Sequence, residues 1–195
     1  TELPLTKHSG RAAVAARLKF LGFKLSEADI AAIFLRFKEI GDKKKFVYDD
    51  DLTALVGGHI TEIVETWSLD YISVSTGNQM MPTATVRLKK AGAAKDEPPH
   101  QDASIGDGPV DAALKAIDRI TDTQGKLMEY SLRAVSQGKD ALGEVTMKVN
   151  FGDGNLVPGK GASTDVIEAS ARAYLNAVNR RLCVGAEQAR QVTPP

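Results

Sequence analysis

The hydrophobic pattern of this chain changes from a helical to an alternating period near residue 57. Before that point apolar residues such as Val14 and Leu18 recur at three- and four-residue spacing, which predicts amphipathic helices. Ser26 and Asp29 have the spacing of a capping box, so we expect a second helix to begin there and to end near Gly41. A short third helix is predicted behind the acidic run that follows.

Alternating apolar and polar residues then predict strands. The segment 60–74 is rich in β-branched and aromatic residues, and we expect one long or bent strand there, ending at the turn Gly77-Asn78. Further strands are predicted over 83–89 and 101–105. The last of these runs through a Gly-x-Gly turn into a helix that opens with Pro109, a residue suited to the first helical position.

The same order of elements recurs in the second half of the chain. Tyr130 lies 59 positions after Tyr71, and the predicted strand segment 145–148 matches 86–89 at the same offset. Gly159-Lys160-Gly161 is interpreted as the echo of Gly106-Asp107-Gly108, at an offset of 53 positions. The sequence therefore predicts two consecutive βββα units, packed as a pseudo-twofold pair with the helices between the sheets or the sheets outside.

These patterns give an α+β fold class with three parts. We expect a helical region over residues 1–56 and a second domain over 57–185. Its two repeats span about 60–122 and 126–183. Residues 186–195 have no apolar period and are expected to form a flexible tail.

Composition and charge exclude several classes of function. The 25 basic residues balance 25 acidic ones, so no global field favours nucleic acid or an anionic membrane. No apolar run approaches the ~20 residues of a membrane span. A single cysteine, Cys183, excludes an internal disulfide and fits a reducing cytoplasm.

The histidines do not predict a metal site. His8, His59 and His100 stand in different segments, without a second histidine or a cysteine at ligand spacing, and the last two are expected in loops. No pair of nucleophile and base is visible. We therefore expect no metal, no cofactor and no catalysis from these residues alone.

The glycine turns are the candidate binding feature. A turn that opens a helix leaves backbone N–H groups free to hold a small anion such as a carboxylate. The residues around the predicted hairpin 130–143 are unusually small and would leave a hole beside such a turn, which another element or a ligand could fill. From pattern alone, a simple dimerisation module explains the chain equally well.

Three motifs together resemble the C-terminal part of the 2-isopropylmalate synthase family. They are Lys7–Arg11, Gly106–Ala113 and Gly159–Tyr174, and the resemblance covers nearly the whole chain. It implies that residues 1–56 are helical linker subdomains and that residues 57–185 are a leucine-binding allosteric regulatory and dimerisation domain that forms a homodimer. In that family a separate (β/α)8 barrel, which these residues lack, condenses acetyl-CoA with 2-oxoisovalerate at a divalent metal (Mg, Mn or Zn).

The resemblance also implies which residues bind the effector L-leucine. They are Gly106, Asp107, Gly108, Val110, Asp111, Leu127, Tyr130, Ala134, Ala141 and Gly143. Helix N-terminal amides would take the carboxylate, and Asp107 or Asp111 would take the ammonium, although either could be an ordinary helix-start acid. The second glycine turn is interpreted mainly as a structural echo, with an equivalent site of weaker affinity as the alternative. His8 could contribute in trans to the barrel of the partner subunit.

Two alternatives remain open at this point. A citramalate synthase uses the same kind of module with isoleucine as its effector. A dimerisation module without a ligand is the other possibility.

Overall fold

The computed structural model describes residues 4–59, 65–135, 137–138 and 141–192, and these residues form three parts. The helical unit comes first, followed by two βββα units. The elements are α1 (Arg11–Phe20), α2 (Glu27–Lys43), α3 (Asp49–His59), β1 (Trp67–Gly77), β2 (Met80–Lys90), β3 (His100–Ile105), α4 (Pro109–Thr121), β4 (Lys126–Ala134), β5 (Gly143–Asn150), β6 (Leu156–Ser163) and α5 (Val166–Val192).

The predicted α+β class and the pair of βββα units are confirmed. Two antiparallel sheets, ordered β1-β2-β3 and β4-β5-β6, each carry the helix that follows them in the chain. The two helices also contact each other, so they lie between the sheets. One hydrophobic core spans both units because alternate strand residues such as Val86 and Val145 point inward at the helices.

The helical unit has a core of its own and is attached to the second sheet. Its buried centre includes Val14, Ile33 and Phe37. Two backbone hydrogen bonds join it to the first residue of β6: the Leu156 N–H donates to the Gly22 carbonyl at 2.9 Å, and the Lys24 N–H donates to the Leu156 carbonyl at 3.0 Å. The helical unit is therefore attached at the edge of the second sheet, where Phe23 forms a parallel bridge with Leu156.

The capping box predicted at the start of α2 is present, but the predicted end of that helix is wrong. The Ser26 hydroxyl accepts from the Asp29 N–H, and the Asp29 carboxylate accepts from the Ser26 N–H. The helix continues through Gly41 to Lys43. A β-carbon on Gly41 would lie 3.1 Å from the Lys7 Cα, so this glycine permits close chain approach and does not end the helix.

The proposed second glycine turn is also wrong. Gly159 and Gly161 lie inside β6, where Gly161 pairs with Val145 of β5. In the first unit Val86 pairs with Asp102, so the counterpart of Gly161 is Asp102, at the same 59-residue offset as the other strands. The second unit has therefore lost no residues between its second and third strands, and Gly159 and Gly161 have a packing role under α5.

The repeat places Tyr71 and Tyr130 on different faces. Each first strand carries a bulge, but at Leu69/Tyr71 in β1 and at Leu127/Glu129 in β4. As a result Tyr71 pairs with Arg87 on the outer face, whereas Tyr130 points inward and its hydroxyl lies 2.8 Å from the Ser170 hydroxyl of α5.

Two chain segments differ from the expected boundaries. The first strand begins at Trp67, and residues 60–64 of the predicted strand lie outside the described residues. The segment 186–192, expected to be a tail without regular structure, continues α5 as helix. It is rich in Ala, Glu, Gln and Arg, whose high helix propensity needs no apolar period.

A partly buried carboxylate joins the two central helices. Asp118 of α4 accepts hydrogen bonds from the Tyr174 hydroxyl at 2.6 Å, the Thr123 hydroxyl at 2.7 Å and the Gly125 N–H at 3.3 Å. Burial raises the pKa of Asp118 above its usual value, against the effect of these hydrogen bonds. The network fixes the start of β4 against both helices.

We expect Tyr174→Phe to lower the free energy of unfolding by about 1–3 kcal/mol, because Asp118 then loses its closest donor in a buried site. Urea unfolding at fixed protein concentration measures this change. Tyr48→Phe is the control, since half of that residue is exposed. A Tyr174→Phe variant as stable as wild type would show that the hydrogen bond contributes nothing net.

Candidate functional site

The first Gly-x-Gly turn joins β3 to α4 and forms the centre of the candidate site. Gly106 donates its N–H to the Pro82 carbonyl at 3.1 Å, which ties the turn to the β1–β2 hairpin. Gly108 is the N-cap residue of α4, with extended backbone and no side-chain cap, and Pro109 follows at the first position. The first-turn N–H groups of α4 therefore have no side-chain acceptor from the cap.

Gly106 is required by the close approach of the chain to the helix. A β-carbon there would overlap the backbone nitrogen of Ala112 and lie 2.8 Å from its Cα. A β-carbon on Gly108 would meet nothing within 4 Å, so that glycine faces open space. The turn is thus tightly packed on one side and accessible on the other.

An open groove of about 580 Å³ lies between α4 and the start of β4. Its apolar surface comes from Val110, Leu114 and Leu127. Charged side chains of both signs border it, with Lys115 and Lys126 among the cations. A groove of this kind can take a small molecule that has an apolar side chain and two opposite charges.

Asp111 is partly engaged in holding the helix start. Its Oδ2 accepts from the Asp107 N–H at 2.9 Å and pairs with the Lys115 ammonium at 2.7 Å. The hydrogen bond from Lys115 is the main cause of a lowered pKa of Asp111. Asp107 is exposed at the turn. Of the two candidates for binding an ammonium group, Asp107 is therefore the less constrained.

The remaining predicted residues lie at the other end of β4. Ala134 pairs with Gly143 across the hairpin, and a β-carbon on Gly143 would lie 3.5 Å from the Ser163 carbonyl, next to the start of α5. At ~3.3 Å per residue, Ala134 is about 23 Å from Leu127 along the strand. The ten predicted residues therefore do not form one pocket within a single chain.

The inner face of β4 exposes a row of apolar side chains between these two ends. Strand β4 is an edge strand, and Leu132 on this face is 48% exposed. Other half-exposed apolar residues are Leu127, Tyr130, Val135, Leu142 and Val166. An exposed apolar patch on an edge strand is typical of a surface that another chain covers.

Comparison with known proteins agrees with this arrangement. Residues 46–182 match the family model of the LeuA allosteric (dimerisation) domain, and residues 1–45 match the homocitrate synthase post-HMGL domain-like family. The chain belongs to the LeuA allosteric domain family. The resemblance identified from the sequence motifs is thereby confirmed.

Full-length relatives carry the same region. The chain is 57% identical over 182 residues to the 2-isopropylmalate synthase of Methylacidiphilum infernorum, and 48% identical over 182 residues to that of Carboxydothermus hydrogenoformans. The 2-isopropylmalate synthase of Heliobacterium modesticaldum is 43% identical over 186 residues. These matches cover 93–95% of this chain and 35% of each relative, so the chain spans about a third of their length.

Sequence analysis missed several groove residues of this LeuA allosteric domain. Lys115 follows Asp111 by four positions on the same helix, a spacing from which the ion pair could have been predicted. Leu114 lies on the same helix face. Gln124 and Lys126 carry no such signal, because only the return of the chain into β4 brings them to the groove.

The three histidines of the chain lie in different settings. His8 is exposed ahead of α1. His59 is the last residue of α3 and is buried against Asp29, and His100 begins β3 with its ring 5.0 Å from that of Trp67, so neither lies in a loop as expected. Among the described residues, no three His, Cys, Asp or Glu side chains are grouped to hold a metal ion. None of the described helices is long and apolar enough to cross a membrane.

Proposed function

We propose that this chain is the part of a 2-isopropylmalate synthase that binds L-leucine, forms the dimer and adjusts enzyme activity. The observation that carries the proposal is the groove between α4 and the start of β4, whose lining begins at Val110, two residues after the first Gly-x-Gly turn, in a chain of the LeuA allosteric domain family. The names of the full-length relatives support the choice of synthase.

The chemistry of the groove suits a free amino acid. The N-terminal amides of α4 bind the carboxylate, since a helix N-terminus carries a partial positive charge. Asp107 binds the ammonium from the exposed side of the turn. The apolar residues Val110, Leu114 and Leu127 surround the isobutyl group.

A second copy of the chain completes the site. A two-fold axis near Tyr130 pairs the exposed row of β4 with the same row of its partner. That axis brings the Ala134 and Gly143 end of one chain to the Leu127 end of the other. The two groups of predicted residues then meet across the interface, and leucine binding is linked to dimer formation.

Calorimetry of this chain with L-leucine, L-isoleucine and L-valine tests the effector. We expect measurable heat with leucine and weaker binding of the two β-branched amino acids, because their branch lies one carbon closer to the charged groups. Tighter binding of isoleucine would favour a citramalate synthase instead. No heat and no thermal shift with any of the three would leave a dimerisation module without a ligand.

Leu132→Glu tests the dimer. In a two-fold symmetric interface each chain contributes one of the new charges. We therefore expect the dimer dissociation constant to rise at least about 100-fold. Sedimentation velocity over a range of concentrations measures it. Leu35→Glu is the matched control, because Leu35 is 69% exposed on α2 and lies outside the proposed interface. Equal dimerisation of both variants would exclude this face.

The condensation of acetyl-CoA with 2-oxoisovalerate takes place in the catalytic barrel of the full-length enzyme, at a divalent metal held by barrel residues. The 195 residues are expected to be inactive without it. His8 is exposed and available to the barrel of the partner subunit, whereas Arg11 pairs with Glu27 at 2.8 Å. In the full-length enzyme, leucine bound at the dimer interface lowers the rate of the condensation.

A further inference from the structure

Arg180 of α5 is the largest fully buried side chain in the described part of the chain, with 1% of its surface exposed. Its Nη1 lies 3.2 Å from Oδ2 of Asp29 in an ion pair. None of its three guanidinium nitrogens has a hydrogen-bond partner among the described residues. Burying a cation with so few partners costs free energy. Packing alone is therefore a poor explanation for the position of Arg180.

Asp29 is the point where three helices meet. Its Oδ2 accepts from the Ser26 N–H at 3.1 Å, and its Oδ1 lies 2.6 Å from Nε2 of His59 at the end of α3. Burial raises the pKa of Asp29, but the Arg180 charge and these hydrogen bonds outweigh it and keep the pKa below the usual value. One carboxylate thus joins the start of α2, the end of α3 and α5.

The neighbouring residue of α5 holds the other end of the same connection. The Asn179 side chain accepts from the Trp67 N–H and donates to the Trp67 carbonyl, both at 2.9 Å. Trp67 begins β1, and His59 ends α3. Two consecutive residues of α5 therefore hold the chain on both sides of this connection. Arg180 holds the end of α3 through Asp29, and Asn179 holds the start of β1 at Trp67.

We propose that Asn179 and Arg180 form a latch through which α5 holds the helical unit in place. Arg180 acts as a positioning residue, because it sets the orientation of α2 and α3 through Asp29. This proposal goes beyond leucine binding and does not depend on it. If α5 is displaced, the helical unit is therefore expected to change its position on the second sheet. The core of the helical unit itself is expected to stay the same.

Hydrogen exchange of this chain tests the latch. In Arg180→Met we expect amide exchange in the first turn of α2 and the last turn of α3 to rise at least about tenfold, with α4 unchanged. Arg181→Met is the matched control, since Arg181 is the next residue of the same helix and pairs with Asp153 at 3.0 Å in a partly exposed ion pair. Its exchange should stay within about twofold of wild type.

Asp29→Asn removes the acid without altering α5, and Ser26→Ala is its control, because Ser26→Ala also breaks the capping box of α2 but leaves Asp29 beside Arg180. We expect the same local rise in exchange, and in the double variant Asp29→Asn with Arg180→Met no further rise beyond the larger single effect. If Arg180→Met does not fold, Arg180→Gln, which keeps a polar side chain but removes the charge, takes its place in the comparison with Arg181→Met. Exchange in α2 and α3 equal to that of Arg181→Met, or effects that add in the double variant, would overturn the proposal.

Discussion

Gly161→Ala is expected to destabilise the chain by about 3 kcal/mol or more, although it adds one methyl group to a strand. The new β-carbon would overlap the backbone nitrogen of Ala173 and approach the carbonyl oxygen of Ala169. Both are backbone atoms of α5, which cannot rotate aside as a side chain could. The helix and strand must therefore separate across the main core. Overpacking a core typically costs about 1–3 kcal/mol of stability, and a clash with backbone atoms belongs at the upper end of that range.

Urea unfolding at fixed protein concentration measures the loss, with Gly57→Ala as the control. Gly57 lies within α3, and a β-carbon there would meet nothing within 4 Å. Alanine should therefore stabilise the helix by about 0.5–1 kcal/mol. The two glycine substitutions are thus expected to have opposite signs. A loss under about 0.5 kcal/mol for Gly161→Ala would mean that α5 can move away from β6 at little cost.

Gly161 is also an example of a residue whose role could not be predicted from the sequence. The alternation of apolar residues predicted β2 and β5 well, because inward residues such as Val86 and Val145 must be apolar to form the core. Two glycines separated by one residue, however, occur both in turns and under closely packed helices. Only the strand register, in which Gly161 pairs with Val145, distinguishes the two cases.

The candidate site was predicted in part. The turn at Gly106 could be identified because a strand, a glycine pair and a proline-initiated helix follow in order. Local sequence does not show that Leu127 and Ala134 lie at opposite ends of one strand, so the ten residues were expected in one pocket. The face on which Tyr130 lies depends on the position of a single bulge, which has no sequence signal here.

Gly106→Ala is expected to weaken leucine binding by about 10- to 100-fold. The added β-carbon would overlap the backbone nitrogen of Ala112, so the turn must move away from the first turn of α4. This shift misaligns the helix N–H groups from the ligand carboxylate. A hydrogen bond to a charged group is worth about 1.5–3 kcal/mol, and each 1.4 kcal/mol is a factor of ten in affinity.

Gly108→Ala distinguishes a loss of affinity caused by a shifted turn from one caused by direct contact with the ligand. Its β-carbon would enter open space at the N-cap, so the variant should unfold at the same denaturant concentration as wild type. Any loss of leucine affinity in calorimetry then reports direct contact with the ligand, whereas Gly106→Ala should lose both affinity and stability. If both variants bound leucine as tightly as wild type, the effector would have to bind elsewhere, because neither the packed nor the open side of the turn would then contribute to recognition.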